Sequence, residues 1–384
     1  MHVAHIGDYK PETTNGVNKT VAALARHTPR HGIQVELWHF TARTKRIQER
    51  VVDGVPIFDL PVYSRRWLRT IRLPAPTAHF LQRRRQDVDL LHLHSAFVPE
   101  NLWAANLGVP YVVTPNGAWA LPVVRGRRRF TKWAWVHLWE SRLWRRARAI
   151  HAVSRSELHE LVARKMDVPV VYIPNGVDDD DLARQVSPPS AGTVWLYMGR
   201  LAVRQKGLDL LMRAYAIARS AIDVPLPPLV VAGPDFQGGL DELKQLTASL
   251  GIAESVQFMG PVSANAKSAL LSTARLFVHT SRWEGMPFAV LEALAAERPV
   301  LVTRGTNLTQ EIESYSAGWI AQETPEAIAA HLVEAATVEP LTLDEIGRRG
   351  RQMVREHLAW NPLAGRIADL YKTAANGSVN SRSH

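Results

Sequence analysis

The chain contains no cysteine, and this absence excludes several kinds of chemistry. Without thiols the protein forms no disulfide, no Cys-ligated zinc site, no iron–sulfur cluster and no thiol nucleophile. The sequence also lacks any run of about 18–20 consecutive apolar residues, which a membrane-spanning helix would need. Its N-terminus has neither the basic start nor the long apolar stretch of a signal peptide, so we expect a cytoplasmic protein.

Acidic residues are scarce in the first half of the chain. Residues 1–170 carry 27 Lys and Arg against 13 Asp and Glu, a balance of +14, whereas residues 171–384 have a balance of −4. At roughly 150 residues per domain, 384 residues suggest two domains. The 46% hydrophobic fraction is enough for packed cores and excludes a disordered or collagen-like chain. The uneven charge therefore predicts two domains with different partners.

Short apolar runs recur along the chain, and most are continuous rather than alternating. Such runs are typical of parallel strands that are buried on both faces. They predict strands at 3–7, 34–40, 90–94, 111–114, 149–153, 170–173, 193–198, 229–232, 256–259, 276–279 and 300–303. Helical patterns between them include 17–27, 207–219, 240–250 and 288–296. Two series of alternating strands and helices predict an α/β fold of two Rossmann-like, doubly wound domains facing across a cleft.

A stretch without apolar periodicity separates the two series. Ser187–Gly192 is rich in serine, proline and glycine, which is typical of a linker. The predicted parts are a first domain (1–173), a linker (174–192), a second domain (193–355), a C-terminal helix that packs back toward the first domain (356–374) and a disordered tail (375–384).

The strongest candidate site follows the predicted strand 276–279. Gly285 allows close backbone approach, and Pro287 suits the first turn of a helix whose amides would face an anionic or polyhydroxyl ligand. Glu292 lies in a helix that is otherwise apolar, and a buried carboxylate without donors is costly. Sugar or ribose hydroxyls would supply donors, and pairing with an arginine inside the core is the alternative.

Two further loops also follow predicted strands. Arg200 and Lys206 lie after 193–198, where a diphosphate would also meet the helix that begins at Gly207. Two solvated cations are the alternative interpretation of this loop. In the loop 12–19, Gly16 opens a helix and would admit a phosphate to backbone amides, although an ordinary helix entry explains it equally well.

Together these motifs resemble the family 4 glycosyltransferases. The resemblance rests on Gly199-Arg200-Leu201 with Lys206-Gly207, on Glu284 and Glu292 with seven residues between them, on Pro174–Asp178, and on Val256 with Phe258-Met259-Gly260. It covers nearly the whole chain, because His92-Leu93-His94 and Tyr111–Gly117 fall where the family has acceptor-domain loops. It implies a GT-B fold and a retaining, metal-independent hexosyl transfer in cell-surface polysaccharide or glycolipid synthesis. The donor would be a UDP- or GDP-sugar, which is a substrate rather than a cofactor, and the acceptor a glycan or a lipid-linked sugar.

The resemblance also implies roles for individual residues on the donor side. Arg200 and Lys206 would bind the diphosphate and stabilise the charge of the leaving nucleotide. Glu292 would hold the ribose. The transferred sugar would be held by Glu284 and by the backbone of Gly285, Met286, Pro287 and Phe288.

Other implied roles lie outside these motifs. Gly16 would let the N-terminal loop approach the diphosphate, and the loop after Gly260 would lie beside the base. His94 would line the acceptor side of the cleft. Many family members have a histidine in the following acceptor loop, where this chain has Asn116 followed by Gly117. Because asparagine hydrogen-bonds hydroxyls but takes up no proton, a histidine role is not carried over to Asn116.

No metal site is predicted. Asp87-Val88-Asp89 resembles a metal-binding pair of aspartates, but it directly precedes a buried strand, which favours a role in strand entry. Asp178–Asp181 follows the last strand of the first series and favours a helix N-terminus or a solvated face.

Cations and tryptophans cluster in two stretches of the first half. One covers 63–72 and is followed by Arg83–Arg85, and the other covers 125–148 and interleaves arginines with Trp133, Trp135, Trp139 and Trp144. One interpretation is peripheral docking at the anionic inner face of a membrane, and another is contact with a phosphorylated or acidic glycan. The third is a helix whose tryptophans pack on the sheet while its arginines are solvated.

Two other functions fit parts of the sequence. A nucleotide-sugar epimerase of the same fold would need acid–base carboxylates and histidines but no separate acceptor. A non-catalytic nucleic-acid- or membrane-binding protein would use the basic stretches. We expect no nucleic-acid partner, because no recognition fold is evident and the candidate donor residues would then have no purpose.

Overall fold

The computed structural model describes residues 1–10, 15–117, 134–165 and 167–377, and the chain divides into two units. The first unit consists of Met1–Asn175 and the C-terminal segment that begins at Trp360, and the second of Gly176–Ala359. The division falls inside the predicted linker, most of which belongs to the second unit. Residues 378–384 of the predicted tail lie outside the described ranges.

The first unit is built on an eight-stranded sheet with the order β3-β4-β2-β1-β5-β6-β7-β8. The strands are β1 (His2–Ile6), β2 (Gln34–Thr41), β3 (Gln48–Val52), β4 (Val55–Pro61), β5 (Leu90–His94), β6 (Tyr111–Thr114), β7 (Ala149–Ala152) and β8 (Val170–Tyr172). Neighbouring strands are parallel except β3 and β4, which pair antiparallel at one edge. The predicted strands are present, with ends that differ by a residue at most.

The hairpin of β3 and β4 was not predicted from the sequence. Its turn is Asp53-Gly54, and both residues have positive φ, +50° and +79°. This dipeptide is typical of a two-residue hairpin turn, so it was the available signal. The two strands were not recognised from apolar runs, because β3 is largely exposed and β4 contains prolines at Pro56 and Pro61.

Helices of the first unit cover its sheet. They are α1 (Gly16–His27), α2 (Arg66–Ile71), α3 (Ala75–Arg84), α4 (Pro99–Ala105), α5 (Ser141–Arg145) and α6 (Arg155–Ala163), with a 3-10 turn at Thr28–His31 and a π-helical turn at Val136–Glu140. On one face of the sheet, apolar side chains of the strands form a continuous core with side chains of α3, α4, α5 and α6.

The second unit has a parallel six-stranded sheet with the order β11-β10-β9-β12-β13-β14. Its strands are β9 (Val194–Met198), β10 (Leu229–Ala232), β11 (Val256–Gly260), β12 (Ala274–His279), β13 (Val300–Thr303) and β14 (Gly318–Ala321). The edge strand β14 was not predicted, because four residues that begin with glycine give little pattern.

Helices of the second unit enclose a separate core. They are α7 (Asp179–Ala183), α8 (Val203–Lys206), α9 (Leu208–Ala221), α10 (Gly239–Ser249), α11 (Ala264–Thr273), α12 (Phe288–Ala295), α13 (Thr309–Tyr315), α14 (Pro325–Thr337) and α15 (Pro340–His357), with 3-10 turns at Pro189–Ala191, Ala253–Ser255 and Arg304–Thr306. In both units, strands and helices alternate along the chain and the sheet is mainly parallel. The predicted α/β class of two Rossmann-like units is therefore confirmed.

The last helix, α16 (Trp360–Ala375), packs on the first unit. It contacts α1, β5 and β6 and buries Trp360, Leu363, Ile367 and Tyr371. No helix in the described ranges combines the length and the apolar character that crossing a bilayer requires.

Both acidic motifs have local structural roles. Asp89 accepts a hydrogen bond from the backbone amide of His2 (2.7 Å) at the entry of β5, and Asp87 pairs with Arg84 (3.2 Å). Asp178 is the N-cap residue of α7, whose first turn is acidic and therefore favourable to the helix dipole.

Candidate functional site

The loop after β9 holds Arg200 beside an aromatic ring. The Arg200 guanidinium lies 5.1 Å from the centre of the Phe236 ring, and the Tyr197 hydroxyl donates a hydrogen bond to the Arg200 carbonyl (3.0 Å). A Cβ on Gly233, in the loop after β10, would lie 1.9 Å from the Gly199 carbonyl oxygen. Only glycine allows these two loops to approach so closely. Because these two loops carry Arg200 and Phe236, their close approach keeps the partly exposed guanidinium at the carboxyl edge of the sheet.

Lys206 and Gly207 lie against the end of β12. Lys206 is the last residue of α8, and Gly207 has a φ of +61°. A Cβ on Gly207 would lie 2.0 Å from the Thr280 carbonyl oxygen, and the Thr280 hydroxyl contacts the carbonyls of Gly207 (2.9 Å) and Lys206 (3.2 Å). These contacts fix the direction of the Lys206 side chain. The sequence analysis correctly placed the Lys206-Gly207 turn after β9, but it did not predict that this turn lies against the end of β12.

Glu284 is buried and bonded to a cation. Lys206 Nζ forms an ion pair with Glu284 Oε1, and His279 Nε2 (3.2 Å) and Ser281 Oγ (2.7 Å) contact the same oxygen. Burial alone would raise the pKa of Glu284, but the charge of Lys206 and the hydrogen bond from His279 outweigh it and hold the pKa well below its usual range. The structure thus brings together Lys206 and Glu284, which lie 78 residues apart in the sequence.

The segment Gly285–Phe288 leads into α12. Asn307 Nδ2 donates to the backbone carbonyls of Glu284 (2.6 Å) and Gly285 (3.2 Å), and these two hydrogen bonds fix the start of the segment. Pro287 is the N-cap residue, one position before the predicted first turn, and no described side chain caps the helix. Met286 is buried and Phe288 partly buried. The N-terminus of a helix is suited to hydroxyl or anionic groups of a ligand.

Glu292 is paired with a lysine, where the sequence left open a pairing with an arginine. Its Oε1 lies 2.9 Å from Lys267 Nζ on α11, and the side chain is only 14% exposed. The ion pair lines a small cavity of the second unit together with Asp181, Arg184 and Arg298. The carboxylate therefore does have a donor, as burial requires, and it faces a cavity in which a polar ligand group would compete for it.

Gly260 ends β11 with a φ of +64°. Its carbonyl accepts a hydrogen bond from the Gly233 amide (2.7 Å), and a Cβ at this position would meet no atom within 4 Å. The loop after Gly260 is therefore joined to the loop that approaches Gly199.

Two candidate residues of the first unit lie at helix and strand ends. Gly16 is the first residue of α1, where Asn15 caps Val17 (3.0 Å) and a Cβ on Gly16 would meet open space. Residues 12–14 of the predicted phosphate loop lie outside the described residues. Asn116 has a φ of +54° and donates to the Thr114 carbonyl (3.2 Å).

The Asn116–Gly117 turn is held by a buried carboxylate. Glu157 Oε1 accepts from the Gly117 amide (2.7 Å), and Oε2 accepts from the Val153 amide (2.9 Å). Burial raises the pKa of Glu157 to about 7, although these two hydrogen bonds act in the opposite direction. The turn is therefore fixed to the start of α6.

His94 is buried within a chain of hydrogen-bonded groups. The Ile173 carbonyl must accept from His151 Nε2 (2.7 Å), which leaves His151 Nδ1 to accept from the Thr114 hydroxyl (2.8 Å). Thr114 then accepts from His92 Nε2 (2.6 Å), and His92 Nδ1 accepts from the Tyr371 hydroxyl (2.7 Å).

The same polarity continues to the other end of the chain. Tyr371 accepts from His5 Nε2 (3.5 Å, the longest contact), and His5 Nδ1 accepts from His94 Nε2 (3.0 Å). His94 Nδ1 is then a bare acceptor without a partner among the described residues. Burial lowers the pKa of His5 to about 3 and that of His151 to about 4, so the histidines are neutral. We call the set of His5, His92, His94, Thr114, His151 and Tyr371 the histidine chain.

Three histidines of the histidine chain lie close together, but the nitrogens of His92 already have partners. Nitrogens of His5, His92 and His94 lie within 4.8 Å of one another. Both nitrogens of His92 are occupied, and its ring lies 4.0 Å from that of His94 with an interplanar angle of 31°. An ion bound by these three histidines would therefore have to displace a hydrogen bond of His92.

The tryptophans of the second basic stretch have different environments. Trp144 is fully buried and donates to Glu140 Oε1 (2.9 Å), and Trp135 donates to Glu140 Oε2 (2.5 Å). Trp139 is 39% exposed, and Trp133 with residues 125–132 lies outside the described ranges. Packing on the fold therefore accounts for Trp144, whereas Trp139 contacts the Trp135 ring and remains partly in solvent.

The first basic stretch exposes an apolar pair. Trp67 and Ile71, one turn apart on α2, are 59% and 69% exposed. Arg69 turns inward and pairs with Glu100 (3.1 Å), whereas Arg65 and Arg72 are exposed.

Sequence analysis missed four residues that shape the donor side of the second unit. His279, Ser281 and Asn307 hold Glu284 and its loop, and Phe236 lies under Arg200. His279 was predicted only as the end of a strand, and Ser281 only as the first residue of the segment that contains Glu284.

Comparisons with known proteins identify the family of this chain. Residues 14–181 match the family described as Glycosyltransferase Family 4, and residues 178–353 match Glycosyl transferases group 1. A phosphatidyl-myo-inositol mannosyltransferase of Mycobacterium leprae is 24% identical over 98% of this chain and 97% of that protein. A GDP-mannose:cellobiosyl-diphosphopolyprenol alpha-mannosyltransferase of Xanthomonas campestris is 24% identical over 75% of each chain.

A solved structure shares the fold. Anabaena HepE in complex with UDP and glucose superposes with a TM-score of 0.73 at 17% identity, over 97% of this chain and 100% of that one. The two family matches meet at the division between the two Rossmann-like units, and each covers one of them. The chain is a GT-B glycosyltransferase and belongs to glycosyltransferase family 4.

Proposed function

We propose that this glycosyltransferase moves a hexose from a UDP- or GDP-sugar to a glycan or lipid-linked acceptor, with retention and without a metal ion. The observation that carries the proposal is the pair of adjacent loops that presents Arg200, Lys206 and Glu284 at the carboxyl edge of one sheet. A planar guanidinium and an ammonium together match the charge and shape of a diphosphate.

Both cations favour the leaving group over the intact donor. As the bond from the anomeric carbon to the diphosphate breaks, negative charge grows on the phosphate oxygens, where fixed cations stabilise it most. Lys206 is largely buried and already directed by Glu284, so it needs little reorganisation to act. Because the two side chains supply positive charge at the diphosphate, a metal ion is not needed for that role.

Donor and acceptor classes are proposed from the relatives. The Mycobacterium and Xanthomonas relatives are named as mannosyltransferases of lipid acceptors, and the latter uses GDP-mannose. The HepE structure contains UDP and glucose. We therefore propose GDP-mannose and UDP-glucose as the first donors to test, with phosphatidylinositol and polyprenol-diphosphate sugars as acceptors, in glycolipid or polysaccharide synthesis.

We further propose that the first unit docks at the anionic inner face of a membrane. Trp67 and Ile71 on α2, flanked by Arg65 and Arg72, give an apolar pair within a basic surface. Tryptophan favours the headgroup region, and arginine neutralises anionic lipids. Such docking would present a lipid-linked acceptor to a protein located in the cytoplasm.

A thermal-shift panel followed by a transfer assay tests the proposal. UDP, GDP and their hexose derivatives are added in the presence of EDTA, since a bound donor stabilises the folded state by mass action. We expect one nucleotide series to raise Tm, and its sugar donor to glycosylate one acceptor with an α-anomeric product. Transfer that disappears with EDTA would contradict metal independence, and inversion at the anomeric carbon would contradict retention.

A further inference from the structure

His279, at the end of β12, lies between two aromatic rings. Its ring is 5.7 Å from that of Tyr197 and 6.3 Å from that of Phe277, and both interplanar angles are 12°. The side chain is about 1% exposed. This packing fixes the plane of the imidazole, so the direction of its Nε2 toward Glu284 is determined by the fold.

Three groups converge on one oxygen of Glu284. Lys206 Nζ, His279 Nε2 and Ser281 Oγ all contact Oε1, and no described residue donates to Oε2. A carboxylate oxygen that accepts three hydrogen bonds is saturated. The remaining acceptor capacity of Glu284 is therefore concentrated on Oε2.

The contacts also assign the tautomer of His279. Ser281 has one hydroxyl proton, which it donates to Glu284 Oε1 (2.7 Å), so it has none for His279 Nε2, 3.0 Å away. Nε2 faces two acceptors and must carry the imidazole proton. Nδ1 is then a bare acceptor, and it has no partner among the described residues. Burial lowers the pKa of His279, so a single proton on Nε2 is the resting state.

We propose that His279 is a positioning residue for the transfer reaction: with Ser281 it ties Glu284 through Oε1, so that Oε2 is presented to a hydroxyl of the transferred sugar. This inference rests on the proposed function and adds a residue outside the motifs that carry the family resemblance. Without the His279 donor, Oε1 keeps only Ser281 and Lys206, and a diphosphate that draws Lys206 away would leave the carboxylate free to rotate. His279 thus matters most when the donor is bound.

Two substitutions separate the hydrogen bond from the packing. His279→Phe keeps the ring between Tyr197 and Phe277 and removes the donor. His279→Gln removes the ring and keeps an N–H near the position of Nε2. We expect His279→Phe to lower kcat about tenfold with donor KM within about threefold of the wild type, and His279→Gln to recover most of kcat. Equal losses in both variants, or an unchanged kcat in His279→Phe, would overturn the proposal.

A pH profile gives a second readout. The charged or titratable groups around Glu284 are Lys206 on α8, His279 on β12 and Tyr197 on β9. Loss of one donor destabilises the Glu284 carboxylate, so its pKa rises and the acid limb of kcat moves to higher pH in His279→Phe. A purely structural role for His279 would leave that limb in place. If His279→Phe does not fold, Ser281→Ala replaces it in this experiment. It is a small change that also removes one donor to Glu284, so we expect the acid limb of kcat to move in the same direction.

Calorimetry distinguishes this inference from the proposed function. Wild-type protein that transfers sugar from no donor would refute the proposed function alone. The positioning role is then tested by binding: His279→Phe should bind the nucleotide sugar about threefold more weakly and the nucleoside diphosphate unchanged. Equal weakening of both ligands would contradict a role that acts through the sugar.

Discussion

Glu292 Oε1 and Lys267 Nζ lie 2.9 Å apart and join α12 to α11 beside a cavity. If Glu292 binds the ribose, Lys267 competes with the ligand for the carboxylate. We expect Glu292→Gln to weaken binding of the preferred nucleoside diphosphate about tenfold, since a hydrogen bond to a charged group contributes about 1.5–3 kcal/mol. Isothermal titration calorimetry with UDP and GDP measures the change.

Lys267→Met is the matched control for this ion pair. It removes the competing cation and leaves the carboxylate, so nucleotide affinity should be equal to or greater than that of the wild type. If the pair is only structural, both variants will lose thermal stability alike and bind the nucleotide as the wild type does, which would contradict ribose binding.

Arg200→Ala should lower kcat by about 10²–10³-fold, because removal of one preorganised donor to developing charge typically costs about 2.7–4 kcal/mol. Arg200→Lys should recover only part of the rate, since an ammonium lacks the planar fork. Initial rates of sugar transfer measure the effect, and circular dichroism checks the fold. Arg213→Ala, at an exposed position on α9, is the control, and near-normal transfer by Arg200→Ala would remove Arg200 from the site.

Single site residues could be predicted from the local sequence, but contacts between site residues that are far apart along the chain could not. Arg200 and Lys206 were singled out because they follow a continuous apolar run that ends at a sheet edge, whereas Glu284 was assigned through the resemblance to the family 4 glycosyltransferases. The ion pair between Lys206 and Glu284 was not foreseen, since the order of strands that places β9 next to β12 is a property of the folded sheet. The proposed role of His279 was not predicted, because a single histidine at the end of a strand gives no distinctive sequence pattern.

The histidine chain was beyond prediction for the same reason. His92 and Tyr371 are 279 residues apart, and their hydrogen bond requires α16 to pack on β5 and β6. The pattern His92-Leu93-His94 suggested an acceptor loop, but both side chains are buried in the strand. By contrast, eleven of the fourteen strands in the described residues and the ends of the four helices named from the sequence were predicted to within two residues, because continuous apolar runs and glycine boundaries depend on local sequence alone.

Gly207→Ala should destabilise the second unit by about 2–3 kcal/mol. A Cβ would lie 2.0 Å from the Thr280 carbonyl oxygen, and the φ of +61° is strained for alanine, so the turn would have to move. Urea unfolding measures the free energy of unfolding. Gly16→Ala is the matched comparison, because its Cβ would meet open space, and it should unfold like the wild type. A wild-type unfolding curve for Gly207→Ala would show that this contact is absent in solution.

The histidine chain should make the protein less stable as the pH falls below about 6.5. His151 has a folded pKa of about 4 and an ordinary value of 6.5 when unfolded, so the unfolded chain binds the extra proton between these values. Its contribution is fully present above pH 6.5 and falls by about 1.4 kcal/mol per pH unit down to about pH 4. Urea unfolding at pH 7, 6 and 5 measures the slope.

His151→Gln keeps a donor near the Ile173 carbonyl and removes the titration, so its free energy of unfolding should fall less steeply with decreasing pH. His159→Gln, at an exposed position on α6, should keep the wild-type slope. Equal slopes in wild type and His151→Gln would show that His151 is not held neutral by the fold.

Membrane docking should depend on Trp67 and Ile71. The double variant Trp67→Ser, Ile71→Ser removes an exposed apolar pair without touching the core, so the fold should be unchanged while partitioning onto anionic vesicles falls about tenfold or more. Co-sedimentation with phosphatidylglycerol vesicles at low salt measures it, and Leu341→Ser, an exposed apolar residue of the second unit, is the control. Salt at about 0.5 M should weaken the wild-type interaction, because it screens arginine from the headgroups. Wild-type protein that stays in the supernatant at low salt would exclude docking, and equal binding by the double variant would place the contact elsewhere.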